Sequence, residues 1–238
     1  MAATLSIVIP CYNEEATLAK CLDRVLAIAD ANLVLEIIIV DDASRDGSVK
    51  IAEGYAARNA GIRVLRHTAN SGKGASLQTG FASATGDYVV VQDADLEYNP
   101  QDLLRMLPWL VRGEADIVFG SRFTGTAERK LAYGRQRIGN HALTWASNLL
   151  TGLRLTDMET CYKMFRRDVI QSITLEEKRF GIEPEMVAKL AKLRSNGKRL
   201  RIREEPVGYL GRTYEEGKKI GLRDGFRALY CIAKYSLR

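Results

Sequence analysis

Cysteine and histidine are scarce in this chain, 4 and 2 of them among 238 residues. Cys11, Cys21, Cys161 and Cys231 show no C-x-x-C spacing and sit in apolar surroundings, with only His67 and His141 to assist them. That argues against a zinc site or a disulfide framework and predicts buried, reduced thiols in a cytoplasmic protein. Long apolar runs are missing too, so no segment approaches the roughly 20 residues that a membrane-spanning helix needs. No proline-rich or glycine/serine-rich linker divides the chain, and it holds no internal repeat or low-complexity tract. The strand-like run TLSIVIP begins at Thr4, from which neither a signal peptide nor a transit sequence is expected.

Two phosphate-binding signatures are absent as well. "NSGKGAS" is only superficially a P-loop, which needs glycine at position 67 and serine or threonine at position 74, where His67 and Gly74 stand. "GKGASL" does not follow G-x-G-x-x-G either, so ATP hydrolysis and NAD chemistry lose their usual support. There is no helix-turn-helix, zinc-finger or RNA-recognition signature, and nucleic acid is not an expected partner.

What is present is a globular composition, 46% hydrophobic, with an uneven net charge of +6. From Lys192 to Arg238 thirteen Lys/Arg stand against five Asp/Glu, which suggests a polyanionic partner such as a nucleotide diphosphate or an anionic membrane. In the first half, strand-like runs at Leu5–Ile9, Leu35–Val40, Ile62–Leu65, Tyr88–Val91 and Ala115–Phe119 alternate with helical patterns. Those patterns cover Glu14–Ile28, Ser48–Asn59, Gly74–Ala84 and Gln101–Val111, with a further one at Ile138–Leu150. Apolar strands alternating with helices predict an α/β fold whose mostly parallel sheet is covered on both faces. Such sheets bind ligands beyond the carboxyl ends of their strands. "PCYNEE", "DDASRDGS" and "DADLE" fall at three of those ends and would converge on one crevice.

The last of these raises a question. In "VVVQDADLEYNP" an apolar run breaks into Asp93, Asp95 and Glu97, each two residues from the next. If the strand continued, alternation would crowd the three carboxyls on one face. They would repel unless a cation sat among them, and carboxylates so placed suit Mg2+ or Mn2+. A solvated strand-to-turn junction is the other reading of the same residues.

"VIPCYNEEATL", "VDDASRDGS", "NSGKGASLQTGFASATGDYVVVQDADLE" and "GSRF", in this order, resemble the family 2 inverting glycosyltransferases with the GT-A fold. The stretch "GYLGRTYEEGKKIGLRDGFRAL" is similar to the polyprenyl-phosphate sugar synthases, typified by dolichol-phosphate mannose synthase. The likeness runs nearly end to end. "TDMETCYKMFRRDVI" departs from the mannose enzymes and leaves the sugar open. The resemblance implies one GT-A, Rossmann-like domain over residues 1–215, followed by a basic amphipathic helix over 216–238. It implies metal-dependent transfer of a hexose from GDP-mannose or UDP-glucose to a polyprenyl phosphate, giving a β-linked lipid-phosphate sugar.

Site residues follow from the same resemblance. Pro10, Tyr12, Glu14, Asp41 and Asp42 match positions that hold the nucleotide's base and ribose, with Lys73 and Asp93 beside them. Asp93, Asp95 and Glu97 match the metal-binding set. Gly72 and Gly74 permit close backbone approach. Arg122, with Arg135 and Arg137, would receive the acceptor phosphate through planar guanidinium groups. Arg212 and Lys218 would clamp the donor diphosphate, while Arg199 and Arg201 read as solvated strand charges and His141 as packing. A phosphate monoester is already largely dianionic at neutral pH, so a dedicated base is dispensable. Asp157, then Glu183 and Glu185, are the candidates if one is needed.

The C-terminal segment adds an apolar stripe, Leu222, Phe226, Leu229 and Ala233, beside a basic one, Lys219, Arg223, Arg227 and Lys234. A helix so built lies in a membrane interface or docks on its own domain. A peripheral protein on the cytoplasmic face, or one recruited by a membrane-protein partner, is the expectation. Two other readings stay open: transfer to a glycan or other hydroxyl acceptor, and a non-catalytic nucleotide-sugar-binding subunit.

Overall fold

The computed structural model describes residues 2–125, 129–130, 134–195, 197–211 and 222–237, without the side chains of 129, 130, 134–136 and 222–224. Five strands lie near the expected runs: β1 (Ala3–Cys11), β2 (Leu33–Asp41), β3 (Ile62–Arg66), β4 (Tyr88–Val91) and β5 (Ile117–Ser121). The helices between them are α1 (Leu18–Leu26), α2 (Ser48–Ala56), α3 (Lys73–Ser83) and α4 (Leu103–Val111). The later chain adds β6 (Arg129–Lys130), α5 (Gly134–Thr151), β7 (Lys163–Arg166), α6 (Arg167–Gln171) and α7 (Ile182–Lys192). It ends with β8 (Arg194–Ser195), β9 (Lys198–Arg199), β10 (Ile202–Pro206), β11 (Tyr209–Leu210) and α8 (Leu222–Leu237).

Seven strands form one sheet in the order β10-β5-β7-β4-β1-β2-β3. β7 runs antiparallel to both its neighbours, and the other pairings are parallel. This is the mixed, mostly parallel sheet of a GT-A fold. From β1 the chain builds outward through β2 and β3, then crosses back to β4 on the other side of β1. The crevice at that reversal lies beyond the carboxyl ends of β1 and β4. Pro10 is tolerated in β1 because β4 pairs only with Leu5–Val8, so the proline stands past the ladder its missing N–H would break.

Because β7 is reversed, its entry end meets the carboxyl ends of β4 and β5, with Lys163 opposite Phe119. The loop that leads into it, from Thr156 to Tyr162, is thereby delivered to the crevice. On the sheet's face, α3 lies so close to β1 that a Cβ on Gly80 would come within 2.2 Å of Val8 Cγ1. At the start of α3, a Cβ on Gly74 would meet the Glu177 carbonyl oxygen at 2.2 Å. The close approach expected of Gly72 and Gly74 is therefore made by the chain's own 177–179 backbone.

The last helix docks on α7 and α5. It buries Ala228, Cys231, Ile232 and Tyr235, whereas Phe226 and Leu229 are 75% and 45% exposed. The expected apolar stripe is thus the outward one, and docking uses a different face; the Leu222 side chain lies outside the described residues. In the basic stripe, Arg227 pairs with Glu177 at 2.8 Å and Lys234 with Glu176 at 3.4 Å. Lys219 and the Arg223 side chain lie outside the described residues. Among the described residues no helix is long and apolar enough to cross a membrane, and the four cysteines are buried and free.

Candidate active site

The loops after β1 and β2 are knitted together on one side of the crevice. The Asn13 N–H donates to Ser44 Oγ at 3.0 Å, the Glu14 N–H to Ser48 Oγ at 2.8 Å, and the Glu15 N–H to Asp46 Oδ2 at 3.1 Å. Asn13 and Ala43 hold φ of 53° and 61°, a left-handed conformation that ordinary residues adopt only when their surroundings require it. Pro10, Tyr12 and Glu14 are half-buried along this wall.

The two adjacent aspartates divide their roles. Asp42 accepts the Ser71 and Gly72 N–H groups at 2.8 and 2.7 Å, and its Oδ1 lies 2.8 Å from His67 Nδ1. It shapes the loop before α3. Asp41 accepts the Ser44 N–H with Oδ2, while its buried Oδ1 has no hydrogen-bond partner. An orphaned acceptor at this position suits an N–H or hydroxyl of a ligand.

A line of alternating charges crosses the base of the crevice. Lys73 Nζ lies 2.8 Å from Asp93 and 3.7 Å from Glu183. Glu183 in turn pairs at 2.7 Å with the fully buried Lys163, whose ammonium also bonds the Thr160 carbonyl. Burial pulls the Lys73 pKa down, but Asp93 and Glu183 outweigh it and keep the ammonium charged. Lys73 is thus neither a solvated turn lysine nor a free cation.

The acidic stretch is not a strand. β4 ends at Val91, and residues 94–97 bend, so strand alternation does not place the three carboxyls. Asp95 is buried and its Oδ1 accepts the Glu97 N–H at 3.0 Å. Glu97 Oε2 accepts the Tyr209 hydroxyl at 3.1 Å. Among the described residues no three His, Cys, Asp or Glu side chains converge as a ready-made metal cage. The donor set is still one of hard oxygens at the mouth of a crevice. That fits a Mg2+ or Mn2+ ion held by one or two carboxylates, with substrate phosphates and water completing its shell.

Arg122 stands just past β5. Asp157, fully buried, grips it with two parallel bonds, Nε to Oδ2 at 2.7 Å and Nη2 to Oδ1 at 2.8 Å. The same carboxylate accepts the Arg122 N–H at 3.0 Å and Asn140 Nδ2 at 2.9 Å. The guanidinium lies over the Tyr209 ring, 5.0 Å from its centroid. Among the described residues Asp157 engages two of the five N–H donors that the guanidinium carries.

Burial pushes the Asp157 pKa up, yet the Arg122 charge and bonds outweigh it and hold the carboxyl below its usual range. A carboxylate so saturated is poorly suited to take a proton. Glu185 is likewise occupied, accepting the Glu176 and Glu177 N–H groups at 2.8 Å each. Glu183 is engaged by the two lysines. Arg137 is exposed and lies over Phe123, 5.9 Å from the ring centroid. His141, also exposed, lies against the same ring with the centroids 4.5 Å apart. Arg201 is more than a solvated charge, since it pairs with Asp116 at 2.9 Å. Arg212, Lys218 and the Arg135 side chain lie outside the described residues.

Four residues of the crevice were not singled out in the sequence. Lys163 stands inside an apolar strand, and Tyr98 and Tyr209 read as ordinary core aromatics. Glu159 looks like one more polar loop residue, but burial and the Glu183 carboxylate push its pKa up to about 7, against Lys163 and Arg122.

The chain is similar to several known proteins. The model of the family described as "Glycosyl transferase family 2" matches residues 6–174. An undecaprenyl-phosphate mannosyltransferase of Micrococcus luteus is 34% identical over 225 residues, covering 90% of this chain and 86% of its own length. A low-salt glycan biosynthesis hexosyltransferase of Haloferax volcanii is 28% identical over 95% of the chain, which spans only 52% of that relative. A dodecaprenyl-phosphate galacturonate synthase of Rhizobium johnstonii is 29% identical over 77% of the chain, again spanning about half of the relative, 54%. Among solved structures, glucosyl-3-phosphoglycerate synthase from Mycobacterium tuberculosis, in complex with Mn2+, UDP and phosphoglyceric acid, superposes with a TM-score of 0.74. The identity is 20%, with 98% of this chain and 78% of that one covered. That likeness establishes the fold.

Proposed function

Since the chain belongs to glycosyltransferase family 2, we propose that it transfers a hexose from a nucleotide sugar to a polyprenyl phosphate. The observation that carries this reading is Arg122. It is a guanidinium locked by a buried carboxylate and an aromatic face, and the Tyr209 ring it lies over bonds Glu97 of the acidic stretch through its hydroxyl at 3.1 Å. A phosphate monoester matches a guanidinium's donors and attacks without a dedicated base. Asp157, Glu183 and Glu185 are all committed elsewhere, which suits an acceptor that needs none.

In this reading Asp41, with its orphaned oxygen, meets the nucleotide, and the loops after β1 and β2 hold the base and ribose. Asp95, aided by Asp93 or Glu97, would hold Mg2+ or Mn2+, which when bound neutralises charge on the departing diphosphate. Arg122 aligns the incoming phosphate on the opposite side of the sugar. Direct attack from that side inverts an α-linked donor to a β-linked product.

The lipid would be met at a membrane surface. Ile138, Trp145 and Leu149 on α5 and Phe226, Leu229, Tyr230 and Leu237 on α8 are exposed, and the two helices pack on each other. Outward apolar side chains with Trp and Tyr among them suit the headgroup boundary. The free cysteines suit the reducing, cytoplasmic side. The relatives named for polyprenyl-phosphate substrates support the choice of acceptor.

The test is a panel of UDP- and GDP-hexoses with Mn2+ or Mg2+ and a short, water-soluble polyprenyl phosphate. Arg122→Ala should raise the apparent KM for the lipid phosphate at saturating donor while leaving donor affinity near that of the parent. Transfer that proceeds as well to a hydroxyl acceptor without lipid phosphate overturns the reading. A defect confined to donor binding removes Arg122 from the acceptor side.

A further inference from the structure

The loop that enters β7 is tied to the crevice on both sides of Glu159. Before it, Asp157 holds Arg122 at 2.7 Å. After it, the Cys161 N–H donates to the Tyr98 hydroxyl at 3.2 Å, and Tyr98 directly follows Glu97. Along the chain Glu159 thus lies between the residue that grips the arginine assigned to the incoming phosphate and the residue bonded to Tyr98, next to the acidic stretch assigned to the leaving diphosphate. In direct displacement the anomeric carbon lies between those two groups, so the hexose has to occupy that space.

The side chain itself asks for a partner. Glu159 is half-buried, and its Oε1 is closed off from water with no hydrogen bond. Native proteins keep few such groups, because a buried acceptor without a donor is destabilising. The neighbouring carboxyls differ in this respect. Asp157 accepts four N–H donors, and Glu183 is paired with Lys163 and Lys73. Glu159 also sits within "TDMETCYKMFRRDVI", the stretch whose departure from the mannose synthases left the sugar open.

We propose that Glu159 is a sugar-binding residue, its free carboxyl oxygen bonding a hydroxyl of the hexose being transferred and so contributing to the choice of donor. The inference rests on the nucleotide-sugar reading above. Its charged surroundings are Glu183 and Asp157 on one side of the balance and Lys163 and Arg122 on the other. With burial added they raise the pKa to about 7. Near neutrality both protonation states are populated, and either can meet a hydroxyl, which donates and accepts.

Calorimetric titration with UDP-glucose, GDP-mannose, UDP and GDP in Mn2+ tests this on the full chain, on Glu159→Ala and on Glu159→Gln. The parent should bind one nucleotide sugar, and Glu159→Ala should weaken that sugar about tenfold to a hundredfold, as for a lost bond to a charged group. Binding of the bare diphosphate should not change, and Glu159→Gln, which keeps an acceptor oxygen, should recover part of the loss. Among deoxy versions of the preferred donor, one should bind the parent more weakly yet bind Glu159→Ala as well as the intact sugar does. Equal losses for sugar and bare diphosphate overturn the inference, as does a deoxy panel to which parent and variant respond alike. If Glu159→Ala does not fold, the deoxy panel on Glu159→Gln decides in the same way. A parent that binds no nucleotide sugar removes the underlying reading, and this inference with it.

Discussion

Replacing Asp157 with asparagine separates a positioning carboxylate from a catalytic base. The native carboxylate receives four N–H donors: Nε, Nη2 and the backbone of Arg122, and Nδ2 of Asn140. An asparagine offers one acceptor oxygen and turns an NH2 group toward the remaining donors. About two donors lose their acceptor, each at a cost of about 1–3 kcal/mol. The guanidinium also loses its buried counter-charge, and breaking such a pair from one side costs about 3–5 kcal/mol. The two routes describe the same loss and agree. Against a domain stability of about 5–15 kcal/mol, Asp157→Asn should lower the melting temperature by on the order of 10 °C. The sign of the pH dependence follows from the depressed native pKa. The stabilisation is full above the unfolded aspartate value of about 3.9. It disappears as pH falls through the lower native value. Denaturant titrations at several pH values should therefore show a gap between parent and variant at pH 7 that narrows in acid. In the transfer assay the apparent KM for polyprenyl phosphate should rise, since Arg122 has lost its anchor. Unchanged stability combined with a kcat loss of about 10²–10⁴ and no change in KM is what a general base would give. That outcome refutes the positioning role.

Two further outcomes are expected. Asp95→Asn should nearly abolish transfer and metal-dependent donor binding while leaving the melting curve close to that of the parent; full activity in excess EDTA would remove the metal from the proposal. Trp145→Ser with Phe226→Ser should leave stability nearly unchanged, because these side chains are 68% and 75% exposed. Binding to anionic lipid vesicles should fall about tenfold or more, as burying one such side chain is worth about 1.5–3 kcal/mol. If the parent itself ignores vesicles, this face has a protein occupant instead.

The parallel half of the sheet was legible because each strand is an apolar run closed by turn residues, and burial on both faces demands that composition. β7 was not. Its four residues include Lys163, which the paired Glu183 and the Thr160 carbonyl make compatible with the core. The acidic motif was recognised by its residues, but the geometric argument for it assumed a strand that stops at Val91. Sequence could not tell Asp41 from Asp42, since the donors that occupy Asp42 come from Ser71 and Gly72, about thirty positions on. The last helix carries apolar residues on two faces, and only its docking on α5 and α7 decides which is hidden. Glu159 was passed over because nothing in its local sequence shows that its neighbours are already engaged.

The reversed strand has a consequence for how such a protein can diverge. Loops leaving β1 and β2 are handed to the crevice by parallel strands and are cross-linked to one another, so a change in one disturbs the other. The loop entering β7 arrives from the opposite direction, along a strand whose ladder is only three residue pairs on each side. Its own bonds, to Arg122, Asn140, Glu204 and Tyr98, fix its length and leave Glu159 among them as a position whose side chain can change. If Glu159 meets the sugar as proposed, a lineage built on this sheet could change its donor by substitution at that one position while Asp157 and Cys161 keep the loop in place.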